Sequence, residues 1–196
     1  MINGHKPHSR LLFAREFLKH PILLGSVVPS SRFLVDRMLR QVDWPATHVL
    51  VEYGPGVGTF TAEILRRLRP DATLVAIEAS QEFVRYLRRG YSDRRLQVVH
   101  GSAAEVREVL QRLGWEAADV IISGLPFNAM RRQQRERILF ESKRALRPGG
   151  RFIAFQYGGR LAADLEHIFG DVERDLEPLN VLPARIFSAV NNHNTA

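Results

Sequence analysis

Two acids and three glycines offer the clearest chemistry in this chain. They stand in Glu52-Tyr53-Gly54-Pro55-Gly56-Val57-Gly58 and in Thr73-Leu74-Val75-Ala76-Ile77-Glu78. Glycine-rich backbone can come close to a ligand, and the start of a following helix adds unpaired N–H groups beside it. A carboxylate ending a second strand, on the order of 20 residues past the glycines, can accept hydrogen bonds from both hydroxyls of a ribose. The pattern points to a ligand built on a nucleoside. Its spacing differs from the dinucleotide fingerprint G-x-G-x-x-G, whose third glycine would fall at Thr59.

The elements that must position these residues follow from apolar patterning. Val49, Leu50 and Val51 form a short β-rich run closed by glycines, which predicts a buried strand. Phe60, Ile64, Leu65 and Leu68 then recur at helical spacing. Further strands are expected over 73–78, 96–99, 120–123 and 151–157, with helices over 81–89, 103–113, 131–146 and 161–169. Pro148, Gly149 and Gly150 are expected to end the helix before the fifth strand. Two closing strands are expected around Leu176 and over 185–190. Alternating strands and helices argue for a parallel sheet covered on both faces. In such a sheet the carboxyl ends of the first, second and fourth strands meet at the switch point. Gly54, Glu78 and Ser123-Gly124-Leu125-Pro126 should therefore converge.

A length of 196 residues suits one domain with a sizeable core. Hydrophobic residues at 45% and charged residues at 25% are ordinary for a globular protein. The chain has no cysteine, which excludes a disulfide framework and thiol catalysis and fits a reducing interior. No apolar run has the length of a membrane span, and no signal peptide is visible. Seven scattered histidines without ligand spacing lead us to expect no metal. A net charge of +7 suits a polyanionic partner, either nucleic acid or an anionic lipid surface.

Residues 1–40 precede this core. Leu11, Phe13, Ala14, Phe17 and Leu18 share one face of a helical wheel, with Arg15, Glu16 and Lys19 opposite and Lys6, His8 and Arg10 upstream. Such a basic amphipathic helix can lie in a membrane interface or pack on the domain, and both states fit one protein. Pro21 should end it. Ser30 or Ser31 is the natural N-cap of a second helix whose apolar face is Phe33, Leu34, Met38 and Leu39.

The first glycine segment resembles motif one of class I S-adenosylmethionine-dependent methyltransferases, acid-x-G-x-G-x-G. Narrower pieces resemble the bacterial phospholipid N-methyltransferases of the peripheral type. These are Gly25-Ser26-Val27-Val28-Pro29-Ser30-Ser31, Ser123-Gly124-Leu125-Pro126, Gln156-Tyr157-Gly158 and Asn180-Val181-Leu182-Pro183-Ala184-Arg185-Ile186-Phe187. They span almost the whole chain, with departures at Tyr53 and at Val181-Leu182. The resemblance implies a Rossmann-like α/β fold, a doubly wound seven-stranded mostly parallel sheet with one antiparallel strand at the end. It divides the chain into an N-terminal helical extension, 1–40, and a cofactor-binding domain, 41–196.

It also implies S-adenosylmethionine as cofactor, S-adenosylhomocysteine as product, and methylation of the amine of phosphatidylethanolamine, repeated towards phosphatidylcholine. The implied cofactor residues are Ser30, Ser31, Glu52, Gly54, Pro55, Gly56, Gly58, Thr59, Glu78 and Ala79, then Gly101, Ser102, Ala103, Ser123, Gly124 and Leu125. The implied substrate residues are Pro126, Phe127, Tyr157 and Arg185. Tyr157 would orient the amine and either Arg185 or a residue of the basic first helix would hold the lipid phosphate, while Phe127 is either a lid or core packing. The expected partners are a phospholipid and, through the first helix, an anionic membrane surface. The expected setting is a cytoplasmic monomer, peripheral on the inner face of the membrane.

Two rivals share the sheet. An RNA adenine-N6 methyltransferase would suit the charge, but the fourth-strand motif reads Gly124-Leu125-Pro126-Phe127 where those enzymes place Asn or Asp first. No extra helical domain follows before Ala196. The other rival is a non-catalytic lipid- or nucleic-acid-binding module, against which the complete glycine motif and Glu78 both count.

Overall fold

Short runs rich in Val, Ile and Leu need burial on both faces, and the chain achieves it with a central sheet between two helical layers. The computed structural model describes residues 30–180 and 182–192. The expected first helix, the stretch Gly25 to Pro29 and Val181 lie outside those residues. The described elements run α1 (Arg32–Leu39), β1 (Val49–Tyr53), α2 (Thr59–Arg67), β2 (Thr73–Glu78), α3 (Gln81–Gly90) and β3 (Leu96–His100). They continue with α4 (Val106–Arg112), β4 (Ala118–Ser123), α5 (Arg132–Ala145), β5 (Leu146–Gln156), α6 (Arg160–Phe169), β6 (Val172–Glu177) and β7 (Ala184–Val190).

The seven strands lie in the order β3-β2-β1-β4-β5-β7-β6. All pairs from β3 to β5 are parallel, and β7 is antiparallel to both β5 and β6. The antiparallel strand thus sits inside the sheet, with β6 at the edge. On one face Val51, Ile121, Phe152 and Phe187 pack with Val106, Leu139 and Leu165 from α4, α5 and α6. On the other, Leu50, Leu74, Ile153 and Ile186 pack with Leu34, Met38 and Ile64 from α1 and α2. The described part of residues 1–40 therefore shares the core of the domain.

Three local outcomes differ from the sequence reading. The buried stripe of α1 is Leu34, Val35, Met38 and Leu39, and Phe33 is exposed beneath the guanidinium of Arg32. Positions 34, 35, 38 and 39 form one stripe at 100° per residue, and position 33 falls off it. The helix expected over 103–113 opens with a 3-10 turn, Ala103–Glu105, held by a reciprocal Ser102 and Glu105 capping box. Pro148, Gly149 and Gly150 lie within β5 rather than before it. Gly149 N donates to Asn191 O at 2.9 Å, and Asn191 N donates to Gly150 O at 2.8 Å, so a distant segment extends the strand.

The sheet is also pinned at its amino edge. Asp119 Oδ2 accepts from His48 N at 2.8 Å and Val49 N at 2.7 Å, while Oδ1 accepts from Arg147 Nε at 2.5 Å. Burial raises the Asp119 pKa, but the Val49 N–H, Arg147 and the His48 N–H outweigh it and leave it below the ordinary value. This stabilisation is present above the unfolded carboxylate pKa and is lost as pH falls through the lower folded value. Replacing Asp119→Ala should cost about 1–3 kcal/mol of stability at neutral pH, read by urea unfolding, with the gap to wild type closing in acid.

Candidate cofactor and acceptor site

The site is built where β1 turns into α2. Gly54 N continues the ladder by donating to Ile77 O at 3.0 Å, and Gly58 N closes a turn on Pro55 O at 2.8 Å. Gly58 is the N-cap of α2 with φ of 84°, a left-handed conformation that glycine adopts freely. A Cβ there would stand 2.6 Å from the Tyr91 hydroxyl, which donates to Gly58 O at 3.0 Å. Sequence reasoning missed Tyr91, since nothing local links it to the turn. Thr59 begins α2, and Pro55 is buried beneath the turn.

Glu78 stands at the end of β2 and reaches across to this turn. Its Oε2 accepts from Gly56 N at 3.0 Å and its Oε1 accepts from Ser80 N at 2.8 Å. Burial raises the Glu78 pKa, and the backbone N–H groups of Ser80, Gly56 and Ala79 oppose that rise. Ala79 is exposed, and its carbonyl accepts from His100 Nε2 at 3.0 Å. Gly101 N donates to Glu78 O at 3.0 Å, which brings Gly101, Ser102 and Ala103 alongside. Ser102 is exposed and Ala103 is buried in the core.

Glu52 lies on the same face of the sheet, one strand over, but inside. Its Oε2 accepts from Thr61 Oγ1 of α2 at 2.6 Å, and only 2% of the residue is exposed. Burial pushes its pKa up to about 8, with Thr61 opposing and the nearby Glu78 charge adding. A neutral Glu52 holds α2 against β1 from below. Its apolar-looking neighbourhood explains why Thr61 was not foreseen.

The third wall comes from β4. Gly124 N donates to Tyr53 O at 2.9 Å, and Ser123, fully buried, accepts from Leu125 N at 3.3 Å. A Cβ on Gly54 would lie 3.1 Å from Leu125 Cδ2, so the two loops touch. The expected convergence of Gly54, Glu78 and residues 123–126 is what the structure shows.

Phe127, by contrast, is wholly buried and meets Phe152 edge-on at 6.3 Å. Of its two readings, core packing holds, because its ring faces the helical layer. Tyr157 and Arg185 do not come together either. Tyr157 packs with Phe155 on the face of α1 and α2. Alternation along β7 turns exposed Arg185 to the face of Phe187.

Two further polar groups join this edge. Asn180 Nδ2 donates to the Tyr157 hydroxyl at 3.3 Å and to Leu182 O at 3.0 Å, and its Oδ1 accepts from Ser31 N at 3.0 Å. Ser31 in turn caps α1 by accepting from Leu34 N at 3.2 Å, with Ser30 just before it. Gln156 accepts from Asn128 N at 3.2 Å and donates to Leu125 O at 2.7 Å, tying the loop after β4 to the end of β5. The Asn128 Oδ1 is buried and has no hydrogen-bond partner among the described residues.

Comparison with known proteins gives this geometry its family. Residues 50–150 match the family described as a methyltransferase domain. The chain is 33% identical over 175 residues to an ornithine lipid N-methyltransferase of Singulisphaera acidiphila, covering 88% of this chain and 91% of that one. It belongs to the class I, S-adenosylmethionine-dependent methyltransferases. Its fold is that of the O-methyltransferase from Bacillus cereus in complex with SAH, with a TM-score of 0.62 at 14% identity over 96% of this chain and 93% of that one. A ribosomal RNA small subunit methyltransferase A of Gloeobacter violaceus is 30% identical over 96 residues, covering 48% of this chain and 32% of that protein.

The turn of this methyltransferase is bare at Gly56. A Cβ added to Gly56 would meet nothing within 4 Å, so backbone is open there beside the Glu78 carboxylate. The glycine turn and Glu78 would hold the nucleoside, with Gly101, Ser102 and Ala79 alongside. When bound, the cofactor supplies a methyl group already activated on a sulfonium.

Glu78→Ala should weaken S-adenosylhomocysteine binding by roughly 1–3 kcal/mol in calorimetry, and unchanged affinity would place the ribose elsewhere. Glu52 keeps its proton to about pH 8 when folded but only to about 4.5 when unfolded, so folding stability falls as pH rises between those values. Glu52→Gln should flatten that fall, gaining on wild type by at most about 1.4 kcal/mol per pH unit in melts at pH 5 to 9.

Proposed function

We propose that this enzyme methylates the primary amine of a membrane lipid head group, with phosphatidylethanolamine and an ornithine lipid as the two acceptors to test. The observation that carries this reading is the 33% identity to an ornithine lipid N-methyltransferase across 88% of the chain. Both head groups present a primary alkyl amine, so one site chemistry serves either. The RNA methyltransferase similarity covers 48% of this chain and supports the shared cofactor half.

The acceptor must present a neutral lone pair in line with the methyl group, so alignment and loss of one proton are what the protein contributes. Tyr157, fixed by Asn180 at the end of β5, is suited to orient the amine. Asn128 Oδ1, buried and without a partner among the described residues, is suited to accept a hydrogen bond from it. Neither group needs to become charged. The proton leaves to water or to a side chain at the mouth.

Transfer from labelled S-adenosylmethionine, run side by side on phosphatidylethanolamine vesicles, ornithine-lipid vesicles and bacterial RNA, decides the acceptor. Label is expected in lipid, and label confined to RNA would sink the reading. Tyr157→Phe should lower kcat on the lipid about tenfold or more while leaving S-adenosylhomocysteine affinity unchanged. A wild-type kcat would remove Tyr157 from the acceptor site.

A further inference from the structure

The turn joining β6 to β7, of which residues 178–180 and 182–183 are described, lies at the same edge of the sheet as the cofactor site. This follows from direction: β6 runs the same way as β5, and β7 returns between them. Four of the five exposed large apolar residues among those described gather at this end. Leu179 is 65% exposed and Leu182 58% in the turn, Leu176 is 49% exposed on β6, and Phe33 is 41% exposed at the start of α1. The Ser31 to Asn180 hydrogen bond joins the turn to the cap of α1, and Arg37 of α1 pairs with Asp175 at 2.7 Å and Glu177 at 3.3 Å on β6. Exposed leucines scattered singly are ordinary, but apolar groups sharing one tip mark a surface made to meet something.

Charge says what. Arg32 lies over the Phe33 ring at 4.9 Å, and Arg185 is the cross-strand partner of Leu176 on the other face of the tip. Neither arginine is in an ion pair among the described residues. The chain as a whole carries +7. Apolar side chains flanked by two arginines that have no ion-pair partner among the described residues suit the boundary between water and an anionic bilayer.

We propose that the enzyme rests on the bilayer at this tip, with Leu179 and Leu182 entering the acyl boundary and Arg32 and Arg185 meeting lipid phosphates. The proposal rests on the lipid-amine reading above and adds the surface that serves it. Asn180 stands between the two leucines in sequence and holds Tyr157, so a head group at the bilayer plane arrives beside the acceptor residues. The lipid then reacts without its acyl chains leaving the membrane.

The test uses the full chain and sedimenting vesicles of phosphatidylglycerol and phosphatidylcholine, which carry no primary amine and so read binding apart from methyl transfer. Leu179→Asp combined with Leu182→Asp should weaken vesicle binding about tenfold or more, with S-adenosylhomocysteine affinity and melting temperature unchanged. The same variant should methylate amine lipid in detergent micelles at the wild-type rate. Wild-type binding by the folded double variant, or no vesicle binding by the wild type, would overturn the tip. So would a wild-type dimer that the variant dissolves, since the surface would then be a self-contact. A variant with a lowered melting temperature and faster proteolysis before Ser30 would also overturn it, by showing that the chain's own first residues cover the leucines. Wild type that binds these vesicles yet methylates no lipid would overturn the acceptor reading and leave the tip supported.

Discussion

A buried carboxylate must find hydrogen-bond donors or give up its charge, and Glu78 finds them in the backbone of two neighbouring turns. Its oxygens take the N–H of Gly56, in the glycine turn after β1, and the N–H of Ser80, which opens α3. One side chain thereby sets the spacing between two strand ends and leaves bare backbone at Gly56 facing open space. The remaining lone pairs of the carboxylate are what a ribose would meet. Strand order supplies the rest, because β1 lies between β2 and β4 and the loops from all three come out at one edge.

The two acids of the site behave differently for a reason that lies in their surroundings. Both are buried on the same face of the sheet. Glu78 meets the backbone N–H groups of Ser80, Gly56 and Ala79, whereas Glu52 meets one residue, Thr61, through its hydroxyl and backbone N–H, and the field of Glu78 itself. The Glu78 charge adds to the cost of ionising Glu52, already high from burial, and the acid with fewer donors keeps its proton. Glu52 therefore serves as a neutral brace beneath α2, and the charge is left at the mouth. Gly58 and Tyr91 complete that brace from the α3 side.

The acceptor edge is held by amides rather than by charge. Asn180 ties the β6–β7 turn to Tyr157 and to the cap of α1, and Gln156 ties the loop after β4 to the end of β5. These links join segments as far as 149 residues apart, so the edge is assembled only when the sheet has closed. Such an arrangement suits a reaction whose demand on the protein is alignment of an uncharged nucleophile.

Local pattern was enough for the strand–turn–helix unit, for the acid ending the second strand, and for the alternation that makes a parallel sheet. Apolar period, glycine spacing and β-branched runs are short-range signals, and each reports a local conformational preference. The sequence thereby determined the fold class and the convergence of the glycine turn, Glu78 and the loop after β4. Other features depended on partners distant in the chain. Asn191 carried β5 back through Pro148-Gly149-Gly150, and the helical layer over the sheet drew Phe127 into the core. Strand alternation separated Arg185 from Tyr157, and the packing of α1 on β6 left Phe33 outside. Tyr91 carried no local mark, and Asn180 stood in a resembling stretch without a role, because their partners are fixed only by how the elements pack. Which groups surround the acceptor was therefore decided by tertiary structure, since those contacts exist only once the elements meet.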